Sequence, residues 1–197
     1  MRKPALCLIS LALVMSITAC GRSPRSNFYT LVPQAAPPGQ SLSPAAPSVS
    51  VGPVTIPELV DRPQIVVRVA ENRVEVLESH RWAEPLKSEI PRLMAQDLGR
   101  MLGSSRVSSY GQSAGADATY RVLVDIVRLE AIPAEAATVQ ALWTVRRGNA
   151  RIKGESLVRE KVSAAGYDQL ISACSRALAG VSSDIAKAIH ADAAALP

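Results

Sequence analysis

Histidine, cysteine and large aromatic side chains are scarce in this chain: two His, three Cys, two Trp and one Phe among 197 residues. Each shortage removes a class of function. His80 and His190 are far apart, so no two-histidine metal spacing exists, and no metal cluster or Gly-rich phosphate loop accompanies them. Cys7 and Cys20 belong to the apolar leader and its end, which leaves Cys174 alone and no disulfide framework within the domain. Cys174 lies on an apolar helical stripe, the setting of a buried small hydrophobe. Long hydrophobic runs are also missing. The uncharged stretch from Leu6 to Ile17 falls short of the ~20 residues that cross ~30 Å of hydrocarbon, so a permanent membrane-spanning helix is not expected. The formal charge of +5 is mild, and two of its positive charges, Arg2 and Lys3, sit in that leader. Nucleic-acid binding, which needs a clustered basic patch, is not indicated.

What is present begins at the amino end. Arg2 and Lys3, the apolar run and the small residues after it have the layout of a secretory signal peptide over residues 1–19. Ile17-Thr18-Ala19-Cys20 resembles the bacterial lipobox. That resemblance implies diacylglycerol on the Cys20 thiol, cleavage before Cys20 and acylation of the new amino terminus. Two or more acyl chains anchor stably where one does not. Gly21, rather than Asp, follows the cysteine, which favours the periplasmic face of the outer membrane. Residues 20–27 then form a short lipidated tether that reaches at most ~25 Å.

Residues 28–190 read as a single domain, with an α+β pattern. A first strand is expected over 28–32, followed by a Pro- and Ala-rich loop at 33–47. Strand patterns centre on Val49 and Val51, on 64–69 and on 74–79, the last two joined by a turn at Glu71-Asn72. Leu86, Ile90, Leu93, Met94, Leu98 and Met101 then recur at spacings of three and four, which predicts an amphipathic helix stopped by Gly103. A short strand 106–110, a polar loop and three long strands over 119–132, 138–147 and 151–162 follow. A second amphipathic helix runs from Tyr167 to Ile189, with a frayed alanine-rich tail over 191–197. The expected architecture is one mostly antiparallel twisted sheet with both helices on one face.

The sharpest catalytic pattern is Gly111-Gln112-Ser113-Ala114-Gly115, a match to G-x-S-x-G. A nucleophile elbow needs a strand before its serine and a helix after it. Here the following segment is a strand pattern, and His190 is the one downstream histidine. The pattern reads first as a small-residue loop; the alternative is an envelope serine hydrolase. Asp61, Glu75, Glu78 and Glu84 could supply a carboxylate pair, but Arg62, Arg68, Arg73 and Arg81 interleave with them. Opposite charges alternating in this way read as a solvated sheet face. No catalytic residue and no cofactor are expected.

The segment PELVDRPQIVVRVAENRVEVLESHRWAEPLKSEIPRLMAQDLGRML (57–102), with FYTL (28–31) and SRALAGVSSDIAKAI (175–189), resembles the ABC-type transport auxiliary lipoproteins. DRPQIV and HRWAEPL are the most specific of these pieces. The resemblance implies a non-enzymatic outer-membrane lipoprotein, accessory to a system whose partner is a mammalian-cell-entry (MCE) domain protein thought to carry lipid across the periplasm. No ligand residues come with the family, so only Cys20 is carried over. A different outer-membrane assembly or envelope-anchoring lipoprotein is the alternative, and the sequence leaves open whether several copies assemble. Antiparallel pairing of 64–69 with 74–79 brings Asp61-Arg62-Pro63 against His80-Arg81-Trp82. Asp61, Arg62, Arg81 and Trp82 therefore form either a docking surface or a structural corner. The corner is favoured, with Asp61 pairing Arg81, or Arg62 pairing Glu84, because a chain this poor in aromatics has few large groups for its core.

Overall fold

A computed structural model describes residues 25–34 and 41–195. The leader, Cys20 and residues 35–40 of the Pro/Ala-rich loop lie outside that range. The elements are β1 (Asn27–Tyr29), β2 (Val49–Thr55), β3 (Gln64–Ala70), β4 (Arg73–Trp82), α1 (Leu86–Met101), β5 (Val107–Ser109), a 3₁₀ turn (Ser113–Gly115), β6 (Tyr120–Ile132), β7 (Ala136–Arg147), β8 (Ala150–Lys161) and α2 (Tyr167–Ala194).

The α+β class holds, and the longest ladders, β6–β7 and β7–β8, are antiparallel. The single sheet is corrected to two: β1-β4-β3 and β5-β2-β6-β7-β8. β2 pairs in parallel with the first half of β6 and ends at Thr55, ahead of Pro57, which has no N–H to give a ladder. Beyond a register shift between Ile126 and Arg128, β6 continues without a neighbour on that side. The β3–β4 hairpin stands beside that stretch through side chains instead. Arg68 bridges to Glu130, and Pro57, Leu59, Val66, Val127 and Leu129 line an apolar pocket of about 130 Å³ at the seam.

Alternation along the strands fixes which face is covered. Tyr120, Val122, Val124 and Ile126 of β6, and Val139, Ala141, Trp143 and Val145 of β7, are buried in one core with Ile90, Met94 and Leu98 of α1 and Leu178, Ile185 and Ile189 of α2. Both helices lie on this face, as the sequence pattern requires. Trp143 fits because β8 has no side chain opposite it. A Cβ on Gly154 would stand 2.2 Å from the indole ring, whose Nε1–H donates to Ser156 Oγ at 3.0 Å, and that hydroxyl donates on to Asp184 at 2.9 Å. Gly154→Ala should therefore destabilise the domain by about 1–3 kcal/mol. Chemical denaturation of the purified variant checks this.

Two boundaries differ from the sequence reading. β1 stops at Tyr29, because the backbone N–H groups after it bond to helix side chains rather than to a strand. The tail expected to fray is helical through Ala194. Asp192 holds it there, accepting from the Tyr120 hydroxyl at 2.9 Å and from Arg147 at 2.6 Å. Arg147 and the Tyr120 hydroxyl keep the Asp192 carboxyl below its ordinary range.

Candidate functional site

The structure brings Asp61-Arg62-Pro63 beside His80-Arg81-Trp82. The hairpin turns at Glu71-Asn72, Gln64 sits opposite Arg81, and the Trp82 N–H donates to the Pro63 carbonyl at 2.7 Å. β4 runs on to Trp82 because β1 pairs with its end, placing Asn27, Phe28 and Tyr29 beside His80, Arg81 and Trp82. Trp82 is only 7% exposed and joins the main core. Around its visible edge, Asp61, Arg62, Pro63, Glu84, Pro85 and Leu86 line an open depression of about 330 Å³.

The charge pairs at this corner are not those expected. Asp61 pairs at 2.5 Å with Lys87, the second residue of α1, and not with Arg81. Arg81 instead reaches back to Glu78, donating to its carbonyl at 3.1 Å. Glu84 is held by two hydrogen bonds of 2.9 Å from Arg92 and not by Arg62, and Arg92 keeps its carboxyl below the ordinary range. The cause is the helix that starts at Leu86, which brings Lys87 and Arg92 to the loop carboxylates. Asp61→Ala and Lys87→Ala should couple by about 0.2–1 kcal/mol in a double-mutant cycle, as partly exposed pairs do. Asp61→Ala and Arg81→Ala should be additive.

A second cluster, not foreseen from the sequence, grips the chain where it enters the fold. Residues 31–34 lie in the groove between α1 and α2. The Leu31 N–H donates to Glu89 Oε1 at 2.8 Å, the Val32 N–H to Ser175 Oγ at 3.1 Å, and the Gln34 N–H to Asp97 Oδ1 at 2.9 Å. Arg100 closes the row on the Gln34 carbonyl. Glu89 and Asp97 are buried, and among the described residues the second oxygen of each carboxylate has no hydrogen-bond partner. Burial raises the Glu89 carboxyl and pushes Asp97 up to about 6. The available signal is two acidic residues, Glu89 and Asp97, on one i+4 ridge with the apolar Leu93. Above this groove, Tyr29 Oη and His80 Nδ1 are 2.7 Å apart, and His80 lies against Tyr167 with ring centroids 4.2 Å apart.

The G-x-S-x-G segment is a strand, a 3₁₀ turn and a strand, not a strand-turn-helix elbow. Ser113 is exposed, and His190 lies by the Met101 carbonyl. Gly115 is explained by closeness: a Cβ there would stand 2.6 Å from Ser108 Oγ and 3.0 Å from Ser50 Oγ. Cys174 is buried in α2, and burial pushes its thiol up to about 12. Among the described residues no group of three His, Cys, Asp or Glu is placed to hold a metal ion.

The family described as the ABC-type transport auxiliary lipoprotein component matches residues 29–186. Among curated proteins nothing matches the chain. A crystal structure of an uncharacterized protein is similar in fold, with TM-score 0.68 at 18% identity, covering 84% of this chain and 99% of the other. Protein XCC0632 from Xanthomonas campestris, of the family DUF330, superposes with TM-score 0.60 at 16% identity, covering 82% of this chain and 93% of its own.

Proposed function

We propose, from the premise that the chain belongs to the ABC-type transport auxiliary lipoprotein component family, that it is the docking subunit of an MCE-type transport system. In this reading it is held by lipid on Cys20 at the periplasmic face of the outer membrane and works by binding rather than catalysis. Membership of the family carries the transport-accessory role. The observation that supports an anchored subunit is the grip on residues 31–34. Downstream of Cys20, contacts from Leu31, Val32 and Gln34 to Glu89, Ser175 and Asp97 tie the backbone to both helices. A pull on the anchor is thereby passed to the core, and the contacts ask nothing of the side chains at 31–34. Trp82 and its neighbours act in this reading as a structural corner, with the depression beside them the secondary candidate for contact with a partner.

Cys20→Ala should leave an unprocessed precursor or a soluble periplasmic form, whereas the native chain fractionates with the outer membrane. Mass spectrometry of the mature amino terminus reads the acyl chains directly. An unmodified mature Cys20 in membrane fractions would contradict the anchor.

A further inference from the structure

Side chains of β6, β7 and β8 that point away from the helices form a face on which, among the described residues, no helix lies. Arg121 of β6 is directly opposite Arg146 of β7, and Arg146 is directly opposite Arg151 of β8. Three guanidinium groups thus stand in one row across adjacent strands ~4.8 Å apart. Lys153 joins them in the next row, opposite Thr144. All four cations are exposed. Like charges directly opposite one another destabilise a sheet, so this row costs the fold something and needs a reason.

The reason is not internal. Among the described residues none of the four forms an ion pair, and Arg121 reaches only the Ala116 carbonyl, at 3.0 Å. The nearest carboxylates along these strands are engaged elsewhere: Asp125 accepts from the Thr55 hydroxyl at 2.8 Å, and Glu155 from Gln140 at 2.7 Å. Several other arginines of the domain are neutralised, although Arg62, Arg73, Arg106 and Arg128 also lack an ion pair among the described residues; what sets the row apart is that its unpaired cations stand side by side. Arg68, Arg92, Arg147, Arg159 and Arg176 each have a Glu or Asp partner. Arg147 is the sharpest contrast: it follows Arg146 in the chain, points to the helix side and is paired with Asp192.

We propose that Arg121, Arg146 and Arg151, with Lys153, dock an acidic surface of a protein partner; this rests on the accessory-subunit reading. Protein, rather than the anchoring membrane, is the occupant that the layers favour. Residues 31–34 lie against the helices, on the side of the sheet opposite to the arginine row. Phe28 and Tyr29 share a depression with Asp168, Ile171 and Ser172 of α2, so the described chain enters the fold beside the helix layer. With at most ~25 Å from Asn27 back to Cys20, an anchor at Cys20 favours turning that side, rather than the row, to the bilayer. Guanidinium groups pair bidentately with carboxylates and are enriched at binding hot spots. Leu142 and Leu157, both exposed on the same face, supply apolar contact beside them.

A photoreactive residue at Thr144, in the middle of the patch, tests this in cells with the full chain. The expected result is an adduct to a protein segment rich in Asp and Glu, reduced at least tenfold when Arg121→Gln, Arg146→Gln and Arg151→Gln are combined. That triple variant should melt at the same or a higher temperature than the parent, since a repulsion is removed. An adduct unchanged in the triple variant, or none to protein, overturns the proposal. Adducts to lipid, or row-dependent binding of the Cys20→Ala chain to phosphatidylglycerol vesicles, overturn the choice of occupant. An acidic adduct from a protein other than an MCE-domain component leaves the surface standing and removes the accessory reading instead.

Discussion

Replacing Trp82 with alanine should lower the unfolding free energy by about 3–5 kcal/mol, a large share of the ~5–15 kcal/mol available to a domain. The indole is 7% exposed at the point where three segments meet: the end of β4, the end of β1 and the loop before α1. Its backbone N–H ties the chain to Pro63, so the alanine variant keeps that bond and loses only what the ring fills. The chain's single Phe is itself exposed, and the large side chains beside Trp82, Tyr29 and Leu86, already belong to the same packing, so the space left by the ring is costly to fill. Trp82→Phe should recover more than half of the loss. Urea titration of the three proteins at one pH gives both numbers. A Trp82→Ala protein that unfolds like the parent but no longer holds its partner would make this corner a docking site instead.

The second large effect is a pH dependence centred on Asp97. In the folded state burial raises its carboxyl from an ordinary 3.8 to about 6, while the Gln34 N–H and Arg100 oppose the rise. Between those two values the folded state binds more protons than the unfolded chain, so stability must fall as pH rises. The contribution is fully present below pH ~4 and lost above pH ~6, a swing of about 3 kcal/mol at ~1.4 kcal/mol per unit. Glu89, also raised by burial, adds in the same direction. Asp97→Asn keeps an oxygen for the Gln34 N–H and removes the buried charge. It should flatten the slope between pH 4 and 6.5 and make the variant the more stable protein at pH 7.5. Equal slopes in parent and variant would mean that water or a partner already satisfies Asp97 Oδ2.

The same residues show what could be read from sequence. Periodicities of two and of three to four placed the long strands and both helices, because those patterns are set by which side chains must leave water. The juxtaposition of Asp61-Arg62-Pro63 with His80-Arg81-Trp82 followed from a tight turn, where register is local. What failed was non-local. Nothing in the run from Phe28 to Gln34 says that its N–H groups will meet Glu89, Ser175 and Asp97 instead of a strand, since the partners lie 58, 143 and 63 residues away. The split into two sheets likewise depends on where β2 stops relative to β6. The ion pairs were misassigned because Lys87 and Arg92 reach the corner from a helix whose direction the sequence does not fix. The arginine row stayed invisible for a related reason: Arg121, Arg146 and Arg151 are scattered along the chain and become neighbours only through the registers of β6, β7 and β8.

Isolation of the native, acylated chain from membranes, followed by identification of what stays bound, tests the transport-docking account most directly. The account predicts retention of an MCE-domain protein together with an ABC permease, lost in the Cys20→Ala chain or in the Arg121, Arg146 and Arg151 triple variant. An acylated, folded protein that purifies without any transport component, under conditions that keep the rest of such a system assembled, would contradict it.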